Sequence, residues 1–202
     1  FGSDFENKMN KIENFGLKSD IFRYKILEAM GGVYLDCDFY CIKPFESLIK
    51  NVNFFAGVCD PGDNNLPLIN NGFFGCSINH PILKNISIEL KDNLDKATQY
   101  HNQVEVFNST GPSFFTRQIF TYLTNTSSDK IVIFPSTFFY PINNRKRNFI
   151  TKKMLKKCTY DETIAIHLWN ASWVTTKRRL IDKIKDYIPL RTIVFLKKTF
   201  KL

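Results

Sequence analysis

At 202 residues the chain is long enough for one domain with a sizeable core, and 44% hydrophobic with 23% charged residues is the composition of an ordinary globular protein. The formal charge of +9 favours anionic partners in general, but no zinc-finger spacing, RNP-like aromatic run or basic heptad accompanies it, so the common nucleic-acid modules are excluded. The five cysteines are scattered without a C-x-x-C pair, which points to a reducing compartment, and neither a signal-peptide pattern nor a bilayer-length apolar run is present.

Residues 1–16 are polar with scattered aromatics and read as one irregular helix leading into the central block, KSDIFRYKILEAMGGVYLDCDFYCIKPF over 18–45. Ser19 is placed to cap a helix with Asp20 in its first turn, and Gly31-Gly32 to end it. Only Lys25 and Glu28 mark a narrow polar side, so the helix is expected to be buried over most of its circumference. Arg23 projects roughly opposite that side, three residues after Asp20, and a charge there is costly unless paired. Two readings stand: a structural Asp20–Arg23 ion pair, or a preset donor/acceptor pair facing a polar ligand.

Val33-Tyr34-Leu35 is β-prone and runs into Asp36-Cys37-Asp38. In a strand, alternate side chains share a face, so Asp36 and Asp38 point one way and Cys37 the other. Two carboxylates on one face suit Mg²⁺ or Mn²⁺, above all when a diphosphate adds oxygens; a solvated turn would use the same residues.

Residues 39–42 continue extended until Pro44, and 45–50 form a turn or short helix. Strands are expected at 53–58 and 70–77, with a loop at 60–65. Pro81 opens a helix in which Leu83, Ile86, Leu90, Leu94 and Ala97 share a stripe and Lys84, Asp92 and Lys96 point away. His80 belongs to the helix start and is not read as a ligand. Thr110-Gly111-Pro112 precedes another helix to about Leu123, where Arg117 is solvated or structural. A strand follows at 130–134, then a basic loop, NNRKRN, at 143–148 that either faces solvent or meets an anionic acceptor or membrane. The run TIAIHL ends at His167 and leads to Trp169-Asn170-Ala171-Ser172-Trp173. On the residues alone, His167 and the two tryptophans fit a structural role as well as a site. The last stretch, 177–202, is basic and helix-like; it either docks on the core or makes peripheral membrane contact.

S-D-I-F-R-Y, a short apolar run, G-G-V-Y-L-D-C-D and a following K-P resemble the DXD-containing glycosyltransferases of family 32, which include fungal mannosyltransferases and capsule enzymes. The block is also similar to the catalytic domain of the large clostridial glucosylating toxins. The resemblance implies an α/β, GT-A type fold, a Rossmann-like mixed sheet flanked by helices, forming one catalytic domain over 1–202 with its core at 18–174. It also implies that the β-α-β segment usual before the Ser-Asp helix is missing or reduced. The implied activity is retaining transfer of a sugar from a UDP- or GDP-sugar to a glycan or other hydroxyl acceptor, with Mn²⁺ or Mg²⁺. Asp38 would bind the metal directly and Asp36 would lie near ribose and metal, both as catalytic residues. Asp20 and Arg23 would hold donor-sugar hydroxyls, and Tyr34 would pack near the nucleotide. Asn71, with Phe73, His80 and Pro81 also family-like, could line the acceptor side or satisfy local backbone. Thr110-Gly111-Pro112 would set the backbone near the acceptor cleft. His167 would complete the metal site, with Asn170 as a rival ligand, and Ser172 and Trp173 would hydrogen-bond the phosphates. The rival function is a non-catalytic nucleotide-sugar or carbohydrate-binding module. The location implied is cytoplasmic or peripheral membrane, or the Golgi lumen if an N-terminal anchor exists.

Overall fold

The computed structural model of the chain describes residues 2–60, 66–97, 103–124 and 128–170. Most of the expected 60–65 loop, Ser172, Trp173 and the basic stretch 177–202 lie outside these residues.

Two helices open the chain, α1 (Ser3–Lys11) and α2 (Phe15–Met30), in place of one irregular helix before the central block. The side chain of Asn14 accepts from the Leu17 N–H at 3.1 Å and caps α2. Ser19 therefore lies inside the helix and is not its cap. Gly31 closes α2 with a φ of +64°, and a Cβ there would meet the Ile78 backbone nitrogen at 2.7 Å, so two demands select glycine. All-round burial of α2 is not what forms. The helix buries Leu17, Asp20, Ile21, Arg23, Tyr24 and Leu27, whereas Phe22, Ile26 and Met30 are 40%, 45% and 75% exposed. The sheet and a later helix cover only one side of it.

The remaining elements follow as β1 (Gly32–Leu35), β2 (Phe39–Cys41), β3 (Phe54–Cys59), β4 (Leu68–Cys76), α3 (Pro81–Ala97), α4 (Gln103–Ser109), α5 (Pro112–Leu123), β5 (Ile131–Phe134), α6 (Ser136–Phe139), a 3-10 helix (Asn144–Phe149), α7 (Lys152–Lys157) and β6 (Ala165–His167). The expected basic loop at 143–148 is thus largely that 3-10 turn, begun by Asn143, whose side chain accepts from the Arg145 N–H. The main sheet has the order β1-β4-β3-β5, antiparallel except for the parallel β3–β5 pair. A second sheet pairs β2 with β6, setting Phe39 opposite His167. This mixed sheet flanked by helices is compatible with a GT-A-like fold.

β4 is buried along nearly its whole length, with apolar residues at both ends and Asn70, Asn71 and Gly72 between them, so its polar side chains must find partners inside the fold. Tyr24, Phe74, Phe114 and Phe115 join α2 and α5 to the sheet in one core, together with Leu83 and Ile86 of α3. Phe55, Phe73, Phe134 and Phe139 make the second core, continuous with Tyr140 and Ile164. The phenylalanine-rich composition is spent here: the Phe73 and Phe139 centroids are 4.2 Å apart and those of Phe74 and Phe115 4.9 Å. The middle of β4 separates these two cores, and Asn70, Asn71 and Gly72 stand there, next to the end of β1.

Candidate active site

Arg23 is the hub of a buried polar network. It is 6% exposed, and its guanidinium lies over the Tyr34 ring at 4.4 Å. Nη1 donates to the Asn71 carbonyl at 2.7 Å and lies 3.3 Å from Asp36 Oδ1. Nη2 donates to the Ser19 hydroxyl at 2.9 Å and lies 3.3 Å from Asp20 Oδ1. Burial opposes the Arg23 charge, but the Asp20 and Asp36 carboxylates outweigh it and hold the group protonated.

Asp20 is held from the other side. Oδ1 accepts from the Asn71 side-chain amide at 2.8 Å and Oδ2 from the Thr110 hydroxyl at 2.9 Å. Burial pushes the Asp20 carboxyl above its usual range, against the pull of Arg23, Thr110 and Asn71. The Tyr24 hydroxyl closes the circuit, accepting from Asn71 at 2.9 Å and donating to the Thr110 carbonyl at 2.7 Å. Asn71 is 3% exposed, and its amide serves Asp20 and Tyr24 across the fold.

Asp36 and Asp38 stand beyond the end of β1, in a turn in which the Phe39 N–H donates to the Asp36 carbonyl at 3.3 Å. Strand alternation therefore does not set their common direction; the turn and its neighbours do. The Asp36 N–H still donates to the Gly72 carbonyl at 2.8 Å, and its Oδ1 accepts from the Tyr34 hydroxyl at 2.7 Å. Burial, with Asp36 adding to it and Arg23 opposing, pushes the Tyr34 phenol up to about 12. Cys37 is exposed.

His167 ends β6 with its ring stacked on Phe39 at 4.6 Å and packed against Trp169 at 4.1 Å. Nε2 lies 2.9 Å from Asp38 Oδ1 and 4.0 Å from Asp36 Oδ2. The Asn170 N–H donates to Asp38 Oδ2 at 2.7 Å, and the Leu168 N–H to the Asp38 carbonyl at 2.9 Å. Burial alone would raise the Asp38 carboxyl; the His167 hydrogen bond and charge, with the Asn170 N–H, outweigh it and hold it below the usual range.

One ligand atom each from Asp36, Asp38 and His167 can be chosen so that all lie within 4.8 Å of one another. Two carboxylates and one imidazole nitrogen make a donor set that fits a divalent first-row cation, and the imidazole is better suited to Mn²⁺ than to Mg²⁺.

Of the residues picked out in the sequence, Asp20, Arg23, Tyr34, Asp36, Asp38, Asn71 and His167 fall in one connected network, and Asn170 joins it through its backbone. Thr110, singled out for its backbone, also acts through its hydroxyl. Two partners went unrecognised. Tyr24 falls outside the narrow polar side at Lys25 and Glu28 and so reads as core, although it stands four residues after Asp20 on the same helix. Gly72 gave the usable signal, a glycine inside a strand, which marks a close approach; a Cβ there would sit 2.6 Å from Asp36 Oδ2. His80 begins α3 as read, its Nδ1 accepting from the Ile82 N–H at 3.2 Å.

The mixed sheet and the Asp36–Asp38–His167 cluster are compatible with a DXD-type glycosyltransferase architecture, and comparison with known proteins agrees. A family described as "Alpha 1,4-glycosyltransferase conserved region" matches residues 76–187, more than half of the chain, and one described as "Glycosyltransferase sugar-binding region containing DXD motif" matches residues 2–55. The chain belongs to this family of DXD-containing glycosyltransferases. It is 29% identical over 147 residues to an uncharacterized glycosyltransferase of Acanthamoeba polyphaga mimivirus, covering 71% of this chain and 54% of that protein. It is 32% identical over 123 residues to inositol phosphoceramide mannosyltransferase 1 of Schizosaccharomyces pombe, covering 60% and 36%. With human alpha-1,4-N-acetylglucosaminyltransferase the identity is 24% over 162 residues, covering 76% and 42%. The chain thus spans about half the length of the first of these relatives and less of the other two.

Proposed function

We propose that this chain is the catalytic domain of a retaining transferase that moves a sugar from a UDP- or GDP-sugar to a hydroxyl of a glycan or other acceptor. The observation that carries this reading is the junction at Asp36: one carboxylate faces both the buried Arg23–Asp20 pair and the Asp38–His167 pair. Asp36, Asp38 and His167 would hold Mn²⁺ or Mg²⁺, which supplies Lewis-acid neutralisation of a departing nucleoside diphosphate. Asp38 presents its carboxylate with direction fixed by the Asn170 N–H, and His167 Nε2, 2.9 Å from it, would turn from that contact to the cation. Arg23 and Tyr34 fix Asp36, so neither carboxylate reorganises when charge develops.

Asp20 and Arg23 keep only 7% and 6% of their surface exposed. Their contact with donor-sugar hydroxyls is confined to that remainder, and their larger part is to orient Asp36. Tyr34 would flank the nucleotide, and Asn71 supports the site from behind Asp20. Ser172 and Trp173 would add hydroxyl and indole N–H donors to the phosphates, a role read from the sequence alone. The anomeric bond to the diphosphate breaks on the face where the acceptor oxygen bonds, and the acceptor's proton leaves with the diphosphate. No protein nucleophile is required.

A screen of UDP- and GDP-sugars with Mn²⁺ and a pool of glycan and lipid acceptors tests the reading. Transfer by the wild-type chain and its loss in Asp38→Ala support it. Donor binding by calorimetry with no turnover on any acceptor would instead favour a non-catalytic binding module.

A further inference from the structure

Residues 142–160, between α6 and β6, carry seven Lys and Arg and no Asp or Glu. α7 concentrates four of them. Lys152, Lys153, Lys156 and Lys157 are all exposed, while Met154 and Leu155 are half-buried beneath. The lysine spacing is i, i+1, i+4, i+5, which sets all four on one side of the helix. None of the four has an ion-pair partner among the described residues. Like charges at i, i+4 destabilise a helix, and here two such pairs, Lys152/Lys156 and Lys153/Lys157, stand side by side. The Thr151 hydroxyl, accepting from the Met154 N–H at 3.2 Å, caps a helix that its own charges oppose. An anionic surface against this face would relieve that repulsion.

The segment is fastened to the frame of the candidate active site at both ends. At one end the Ile142 carbonyl accepts from the Trp169 indole at 2.7 Å, and that indole packs on His167. At the other, the Tyr160 N–H donates to the Thr163 hydroxyl at 2.9 Å, just ahead of the strand that ends in His167.

We propose that Lys152, Lys153, Lys156 and Lys157 form a docking face for a bilayer displaying anionic phospholipid headgroups. Charge complementarity is the warrant: four unpaired lysines on one short helix match the clusters that hold proteins to anionic leaflets. The chemistry favours a lipid surface over nucleic acid. No aromatic side chain interleaves the lysines to stack bases, and lysine ammonium groups act as point charges without the fork that reads base edges. The half-exposed Tyr160 beside the helix suits the headgroup level. This docking is independent of the transferase reading and is measured without turnover.

The test is co-sedimentation of the full chain with phosphatidylcholine vesicles, with and without about 30% phosphatidylserine, at low and high salt. Binding is expected only to the anionic vesicles and to weaken with salt. Changing the four lysines to Gln should weaken it by at least about tenfold, since each contributes roughly a fivefold factor near an anionic surface. Changing the same four to Arg should retain binding, which separates charge from folding. A matched change of Lys177, Arg178, Arg179 and Lys183 to Gln should leave the α7 contribution in place. The proposal is overturned if the wild-type chain does not bind anionic vesicles, if the α7 Gln variant binds as the wild type does, or if a short RNA displaces the chain from vesicles and shows the same dependence on the four lysines.

Discussion

Gly72 and Asp36 share a space that admits only one side chain. The Asp36 N–H donates to the Gly72 carbonyl at 2.8 Å, and a methyl group on residue 72 would lie 2.6 Å from Asp36 Oδ2 and 2.9 Å from Asn70 Oδ1. Gly72→Ala is therefore expected to push the Asp36 carboxylate off its place beside Arg23 and His167. Overpacking of this kind costs about 1–3 kcal/mol, readable as a lower melting temperature. Mn²⁺ binding, followed by the loss of the free-ion EPR signal, should weaken in the same variant; unchanged Mn²⁺ affinity would show that Asp36 is not a ligand.

Asp38 is held through both carboxylate oxygens, Oδ1 beside His167 Nε2 and Oδ2 accepting from the Asn170 N–H. Asp38→Ala removes the carboxylate that His167 and the Asn170 N–H position, so Mn²⁺ affinity and sugar transfer should fall on the order of 100-fold or more. Because Asp38 is only partly buried, the melting temperature should move far less than activity.

Asp20→Asn leaves Arg23 buried with Asp36 as its remaining carboxylate. Breaking a buried pair in this way costs about 3–5 kcal/mol, which urea denaturation would register as an earlier midpoint. Tyr24→Phe should cost about 1–3 kcal/mol, because the Thr110 carbonyl and one Asn71 N–H lose a buried partner. Loss of stability in Asp20→Asn no greater than in Tyr24→Phe would contradict the hub role of Arg23.

His80 gives the fold a pH dependence of predictable sign. Burial lowers its pKa below 6.5, with Asp129, 3.6 Å from Nε2, pulling the other way. Nδ1 already accepts from the Ile82 N–H, so a second proton has no favourable place. The folded state then binds fewer protons than the unfolded one. The resulting stability is complete above pH 6.5 and is lost as the pH falls from there through the folded pKa. Melting temperatures between pH 8 and pH 5 should fall in the wild type, and His80→Asn should flatten the slope across the His80 window.

Much of this architecture is legible in the residues. Pro81 and Pro112 mark helix starts, the apolar stripe of α3 faces the core, and the strands at 53–58 and 70–77 form within a residue or two of where they are read. Two of the differences lie in α2. Counting Phe22, Ile26 and Met30 as buried assumes that an apolar face always finds cover, and only the neighbouring elements decide that. The helix starts earlier than Ser19 because Asn14 and Ser19 are both competent caps and the chain uses the first. The site was half visible. Asp20, Arg23, Asp36 and Asp38 stand close in sequence, whereas Thr110 and His167 reach them across separations of 90 and 129 residues, which no local spacing encodes.

Trp169 holds a φ of +57°, a backbone region that bulky side chains avoid. Its indole is gripped by the Ile142 carbonyl and the His167 ring, and that grip keeps the peptide cocked so that the next N–H aims at Asp38. Trp169→Ala removes both holds on this peptide, and the Asn170 N–H is then expected to lose its fixed aim at Asp38 Oδ2.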